Sequence, residues 1–351
     1  PEQSSYRLLP CMSNRPGTPN TNTPPAARDP ASASPARRTT RLAPSPTGTL
    51  HLGNARTFLV NWALARQRGW RIILRIEDLD ITRVRPGAAD EAIDLLRWLG
   101  IHWDEGPITQ SRDLEPYRAA MRQLAEASMT YACALTRKQI EQAVSAPHAG
   151  ESETRMPPEL RPDRAARDAW RFARLDTNYR LVVPDECVAI ADRFSGRSEH
   201  HPFNECGDFI IWTKLRMPAY QLAVVVDDAR QGVTDVVRGD DLLPSAARQT
   251  LLHRALRFTP PEWWHVPLVL GDDGRRLAKR HGDTHLQNYR AAGIPAERII
   301  GLIAAWCGVV QRDRPQPLSS SDFLQRFTVD MLPGEPVRFT GNDHAWLLTR
   351  G

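Results

Sequence analysis

Arg41-Leu42-Ala43-Pro44-Ser45-Pro46-Thr47-Gly48-Thr49-Leu50-His51-Leu52-Gly53-Asn54 decides the fold class. Arg41–Ala43 reads as a short strand, the Pro- and Gly-containing stretch as a turn, and the residues up to about Arg68 as a helix. Trp70–Ile76 is a compact apolar strand that ends at Glu77-Asp78. Apolar residues at Ala92, Leu95, Leu96 and Leu99 predict a second helix, stopped by Gly100. Strand, glycine-containing turn, helix, strand, helix is the βαβ pattern of a parallel sheet. Open parallel sheets bind ligands beyond the carboxyl ends of their strands. Gly48 and Gly53 let the backbone approach a ligand closely. The helix after Asn54 turns its N–H groups and positive dipole end into the same space, which suits a phosphate, with His51 as a further donor. Taken alone, the same residues also read as a plain turn.

Working outward, residues 1–38 carry Pro, Ser, Thr, Asn and Arg with hardly any apolar side chains, and are expected to be a disordered extension. Residues 39–285 form the predicted catalytic domain. Within it, about 113–206 is irregular and Pro- and Arg-rich and reads as a mixed α/β insertion. Phe209–Leu215, Tyr220–Val226, Val233–Val237 and Val266–Leu270 look like further strands, and 244–256 a helix. Residues 286–351 read as a short helical region, notably Ala296–Cys307. The chain as a whole is therefore α/β.

The 41% hydrophobic content supports a real core. The net charge of +5 and pI of about 9.2 favour a polyanionic partner. No apolar run reaches the roughly 18 residues of a membrane span, so no membrane partner is expected. The five cysteines (Cys11, Cys133, Cys187, Cys206, Cys307) are odd in number and scattered, which points to a reducing, cytoplasmic compartment rather than a disulfide framework. Only three of the 46 basic residues are lysines, Lys138, Lys214 and Lys279.

Three more stretches carry chemistry. Arg75-Ile76-Glu77-Asp78-Leu79-Asp80 places three carboxylates at a strand end, able to bind an amino group or a metal, or simply to cap a helix. Met217 through Asp228 and Gly232 through Asp241 surround Tyr220 and Arg238; Arg238 could equally pair with Asp240 or Asp241. Gly274-Arg275-Arg276-Leu277-Ala278-Lys279-Arg280-His281 is a basic loop.

Together these motifs resemble the class I glutamyl-tRNA synthetases over about Arg41–His285. His51-Leu52-Gly53-Asn54 is similar to the motif written HIGH, with Asn54 in place of its last His. The loop around Lys279 resembles the one written KMSKS and keeps its second Lys. The resemblance implies a Rossmann-type class I catalytic domain and a ligase-type reaction: ATP activates L-glutamate to glutamyl-adenylate, with Mg²⁺ on the triphosphate, and an RNA hydroxyl then takes the glutamyl group. His51 and Lys279 would be catalytic. Gly53, Asn54 and Lys279 would bind ATP. Arg41, Ala43, Ser45, Glu77, Tyr220 and Arg238 would form the glutamate pocket. That assignment fits the chemistry, since an anionic side chain is best told from glutamine by fixed guanidinium charge.

The stretch after His285 is too short for the anticodon-binding domain of full-length members, so none is expected. This resembles the short branch of the family, which attaches glutamate to the queuosine base in the anticodon loop of tRNA(Asp). Many members of that branch hold a zinc through a Cys-x-Cys pair; here Cys133 is followed by Leu135, so no zinc and no other metal site is predicted. Arg155–Arg174, with Trp170, reads either as a phosphate-tracking surface or as a solvated insertion. A monomer is expected.

Overall fold

The computed structural model describes residues 37–136, 139–140, 155–169, 171–275, 277 and 284–349. The expected extension up to Ala36, Trp170 and the residues Arg276, Lys279, Arg280 and His281 lie outside the described residues.

The chain opens as the βαβ pattern requires. β1 (Thr39–Leu42) leads through the Pro-Gly turn into α1 (Leu52–Gln67). β2 (Arg71–Ile76), α2 (Ala88–Trp98) and β3 (Glu105–Thr109) follow. β1 pairs parallel with β2, Thr39 opposite Arg71, and β2 pairs parallel with β3. All four residues of β1 are buried, as expected for a central strand covered on both faces. α2 stops where Gly100 takes φ +69°, the left-handed conformation that glycine adopts without a Cβ penalty.

The stretch expected to be an insertion begins with α3 (Glu115–Glu126). It then supplies β4 (Thr130–Cys133) and β5 (Asn178–Leu181), which pair antiparallel with each other; β5 pairs in turn with β8 (Ile210–Trp212). β6 (Val188–Asp192) and β7 (Gly196–His200) form an antiparallel ribbon. The second half of the parallel sheet is β9 (Asp235–Gly239) and β10 (Glu262–Val266). β6 joins β10 in parallel at Asp192 opposite Trp263. The two halves meet where the Thr234 N–H donates to the Thr39 carbonyl at 2.9 Å and the Thr39 N–H to Thr234 Oγ1 at 2.8 Å. The strand order is thus β3-β2-β1 followed by β9-β10. The chain progresses outward from β1 on one side and from β9 on the other, so the topological switch lies between β1 and β9, where open α/β sheets bind their ligands.

Three strand expectations change. Tyr220–Val226 is not a strand but the start of a helix, Tyr220–Arg230. Every residue from Leu222 to Asp228 is buried, so the run lacks the polar face that would reveal a helical period, and an apolar run of this kind does not tell strand from buried helix. Val233–Val237 shifts to β9, Asp235–Gly239. Val266–Leu270 is divided: β10 ends at Val266, because Pro267 offers no N–H for the ladder, and β11 (Val269–Leu270) pairs instead with β12 (Val337–Arg338).

Besides a small apolar cluster of Tyr131, Cys133, Ile140 and Met156, two large ones are present among the described residues. One joins α1, β1 and β2 to the later helices Leu286–Ala291, Ala296–Trp306, Ser320–Arg326 and Gly341–Leu348. The other lies under the helices Tyr220–Arg230 and Leu243–Leu256. Among the described residues, no helix is long and apolar enough to cross a membrane.

Candidate active site

The turn after β1 is built around His51. Its ring is the N-cap of α1: Nδ1 accepts the N–H of Gly53 at 3.1 Å and of Asn54 at 3.3 Å. Asn54 answers by accepting the His51 backbone N–H on Oδ1 at 3.1 Å, a reciprocal capping box. Two of the N–H groups expected to face a phosphate are therefore already engaged by His51. Because Nδ1 is an acceptor, the neutral ring carries its proton on Nε2. A Cβ on Gly53 would sit 3.1 Å from the His51 ring, which explains why the position is glycine.

The segments flanking the Lys279 loop are pinned beside this turn. The Leu277 N–H donates to the Val269 carbonyl at 2.9 Å, and the Leu286 N–H to the Leu50 carbonyl at 2.9 Å. Val269 in turn lies against Gly53, 3.7 Å from where its Cβ would be. Lys279 itself is outside the described residues.

At the switch point the side chains form an ion cluster. Arg75, at the end of β2, is fully buried. It donates from Nη1 to Asp228 Oδ1 at 2.7 Å and to Gln231 Oε1 at 3.0 Å, and from Nε and Nη2 to Glu77 Oε1 at 3.3 and 3.1 Å. Arg41 brings Nε to 3.5 Å from Asp228 Oδ1, and among the described residues that Nε has no hydrogen-bond partner. Asp227 accepts from Tyr117, Gln110 and Arg230. Burial opposes the charge on Arg75, but Asp228, Glu77 and Asp227 outweigh it and raise its pKa. Asp228 is held below the usual carboxylate range: burial pushes it up, while Arg75 and Arg41 bring it down. Burial lifts the Glu77 carboxyl, against the pull of Arg75 and Arg41.

Tyr220 opens its helix beside this cluster. With Ser45 and Glu77 it lines a hollow of about 460 Å³. The residue is 43% exposed. The protein packed around the hydroxyl still raises the phenol's pKa, opposed by Arg238 and Arg41 and reinforced by Glu77. Arg238, on β9, is 5% exposed and lies over the Trp263 ring at 4.9 Å. Burial lowers its pKa, with Tyr220 opposing and Arg41 adding to the fall. Arg41, Glu77, Tyr220 and Arg238 thus lie within one another's electrostatic field. Ala43 follows β1 directly and is half-buried, while Ser45 is exposed.

Sequence reasoning gave no role to Arg75 or Asp228, although both stand in the quoted motifs. Their pairing joins residues 153 positions apart, and no local spacing signals it.

Comparison with known proteins places the chain as a whole. The family model for class I tRNA synthetases (E and Q), catalytic domain, matches residues 38–343. The chain belongs to that family, in its glutamyl-Q tRNA(Asp) synthetase branch. It is 44% identical over 314 residues to the glutamyl-Q tRNA(Asp) synthetase of Symbiobacterium thermophilum, covering 85% of this chain and 94% of the relative. It is 46% identical over 280 residues to that of Rhodopirellula baltica, covering 77% of this chain and 84% of the relative. Its fold is similar to a crystal structure of a glutamate tRNA ligase from Elizabethkingia meningosepticum in complex with its amino acid, with a TM-score of 0.73 and 25% identity, covering 89% of this chain and 68% of that one. The fold class expected from the first turn, a class I synthetase catalytic domain with a helical C-terminal region, is the one observed. Membership also makes the chain a ligase-type enzyme that uses ATP.

Proposed function

We propose that the chain activates L-glutamate with ATP and transfers the glutamyl group to the queuosine base of tRNA(Asp). The observation that carries this reading is the cluster at the switch point. Arg41 and Arg238 lie within the electrostatic field of Tyr220, which with Glu77 lines an open hollow. An anionic side chain satisfies the guanidinium groups, and the substrate ammonium satisfies Glu77, whose burial is otherwise unfavourable to its charge. Ala43 and Ser45 lie on the stretch that passes the hollow.

In the first step the α-carboxylate oxygen of glutamate bonds to the α-phosphorus of ATP, and the bond to the bridging oxygen breaks to release pyrophosphate. The chain's part is positioning and charge stabilisation. The His51 Nε2–H donates toward the phosphates, the turn at Gly53 and Asn54 admits them closely, and Lys279 neutralises developing charge from a loop whose flanks are pinned beside that turn. In the second step a hydroxyl of the modified base attacks the acyl carbon and AMP leaves with the bonding electron pair. Mg²⁺ belongs to the proposal as a companion of the triphosphate. Among the described residues no group of three or more His, Cys, Asp or Glu could hold a metal. A monomer suffices for this scheme.

The test is transfer of labelled glutamate to tRNA(Asp) with and without queuosine, and to tRNA(Glu). The proposal expects label only on tRNA(Asp) that carries the modified base. Label on tRNA(Glu) alone would favour charging of a tRNA 3′ end, the reading suggested by the likeness to a glutamate tRNA ligase.

A further inference from the structure

Arg238 is held on three nitrogens by the protein itself. Its Nε–H donates to His265 Nε2 at 3.0 Å, Nη1 to Gln249 Oε1 at 2.9 Å, and Nη2 to the Leu242 carbonyl at 3.1 Å. A guanidinium carries five N–H donors, so two remain for a ligand. Behind it stands a second pair. His265 Nδ1 lies 2.7 Å from Asp192 Oδ2, and neither side chain has any exposed surface. Asp192 is occupied by donors only: the N–H groups of Phe194 at 2.9 Å, Ser195 at 2.8 Å and His265 itself at 3.0 Å. An acceptor surrounded by donors is a carboxylate, so Nδ1 must carry the His265 proton. Nε2 then presents a lone pair, the only form of the neutral ring that can accept from Arg238.

Strand register builds this relay. β10 runs between β6 and β9. Trp263 sits opposite Asp192 on one side, and His265 opposite Arg238 on the other. Asp192, His265 and Arg238 are therefore carried across three adjacent strands. Arg238 donates in the other direction as well, to Gln249, whose Nε2 donates to Gln221 Oε1 at 2.9 Å, next to Tyr220.

We propose that Asp192 and His265 are positioning residues for glutamate recognition. They fix the tautomer, and through it the plane and rotamer of Arg238, so that its two unused N–H groups are preorganised for one carboxylate. This rests on the reading of Arg238 as part of the glutamate pocket. It extends that reading to residues that never touch the substrate.

Asp192→Asn is the informative variant. Oδ1 keeps its bonds from Phe194 and Ser195 and takes the His265 backbone N–H, already 3.2 Å away, while an amide N–H replaces Oδ2 and donates to Nδ1. The ring's proton moves to Nε2, where it opposes the Arg238 Nε–H. The shape is kept and the tautomer is reversed, the logic of an Asn substitution behind a catalytic histidine. In ATP–pyrophosphate exchange, Asp192→Asn and His265→Leu are expected to raise KM for glutamate about tenfold, which is ~1.4 kcal/mol. KM for ATP and kcat should stay within about twofold, and discrimination against glutamine should narrow. His265→Gln, whose Oε1 can still accept from Arg238, should stay much closer to wild type. Nitrogen-15 histidine spectra give an independent readout, with the His265→Gln spectrum assigning the signal: Nδ1–H in the wild type, Nε2–H in Asp192→Asn. A wild-type signal from Nε2–H overturns the proposal, and so does an unchanged glutamate KM in Asp192→Asn. If His265→Leu does not fold, Asp192→Asn and the spectra decide. Arg238→Ala separates the two levels. Should it raise KM while Asp192→Asn does not, the relay is wrong and the pocket stands. Should it leave KM unchanged, the pocket reading itself fails.

Discussion

Arg75 and Asp228 provide the sharpest stability prediction. Arg75 has no exposed side-chain surface, Asp228 only 4%, and their closest atoms are 2.7 Å apart. Removing one partner of such a buried pair leaves an uncompensated charge and costs about 3–5 kcal/mol. That is a large part of the roughly 5–15 kcal/mol by which domains are stable. Arg75→Met takes from Asp228 its hydrogen-bonded cation and from Glu77 both donors; Asp228→Leu takes from Arg75 its shortest ion pair and from Arg41 its acidic neighbour. Each single variant should therefore lose about 3–5 kcal/mol. The double variant still leaves Glu77 without its donors but removes the Arg75–Asp228 contact only once, so its loss should fall short of the sum of the two singles by about 2 kcal/mol or more. Urea unfolding of the wild type and the three variants measures this, with midpoints compared at constant slope. Losses that add to within about 0.5 kcal/mol, as they do at independent sites, would refute the network.

Other expectations follow from single groups. His253 is 1% exposed, neither ring nitrogen has a hydrogen-bond partner among the described residues, and burial lowers its pKa to about 4, with Asp228 opposing. The unfolded chain takes up this proton near pH 6.5 and the native state only near 4, so stability falls as pH drops through that window, by at most ~3 kcal/mol. His253→Leu should flatten the loss when urea midpoints at pH 7 and 4.5 are compared; equal losses contradict it. Asp208 is 2% exposed and accepts from Tyr131 Oη at 2.8 Å, Arg161 Nε at 2.7 Å and the Val183 N–H at 2.8 Å. Asp208→Ala should speed amide exchange at Val183 and across β4 and β5 by about tenfold or more, since a buried acceptor for several donors is lost; unchanged protection would remove it as the sheet's tie. Lys279→Ala should lower the exchange rate more than it weakens glutamate binding, and an unchanged rate would remove Lys279 from the chemistry.

The first turn was legible because its signals are local. A strand, a Pro-Gly turn and a helix start within fourteen residues, and His51, Gly53 and Asn54 meet through backbone neighbours. Arg41, Glu77, Tyr220 and Arg238 were singled out through the family resemblance of their motifs, Tyr220 while its helix was read as a strand, since uniform burial erases the period. Long-range pairs left no trace. Asp192 meets His265 across 73 positions and Arg75 meets Asp228 across 153; both depend on register between strands and on how a helix lies against the sheet. The capping role of His51 was hidden for another reason. Its ring was read as facing phosphate, and only the geometry shows Nδ1 turned back onto the helix.

The central claim is that the switch-point cluster selects and activates glutamate. ATP–pyrophosphate exchange with purified protein tests it most directly, with glutamate or glutamine as substrate, in wild type and Arg238→Ala. The account predicts exchange that depends on glutamate, far weaker with glutamine, and with that preference lost in the variant. No exchange with glutamate, with or without tRNA, or equal exchange with both amino acids, would contradict it.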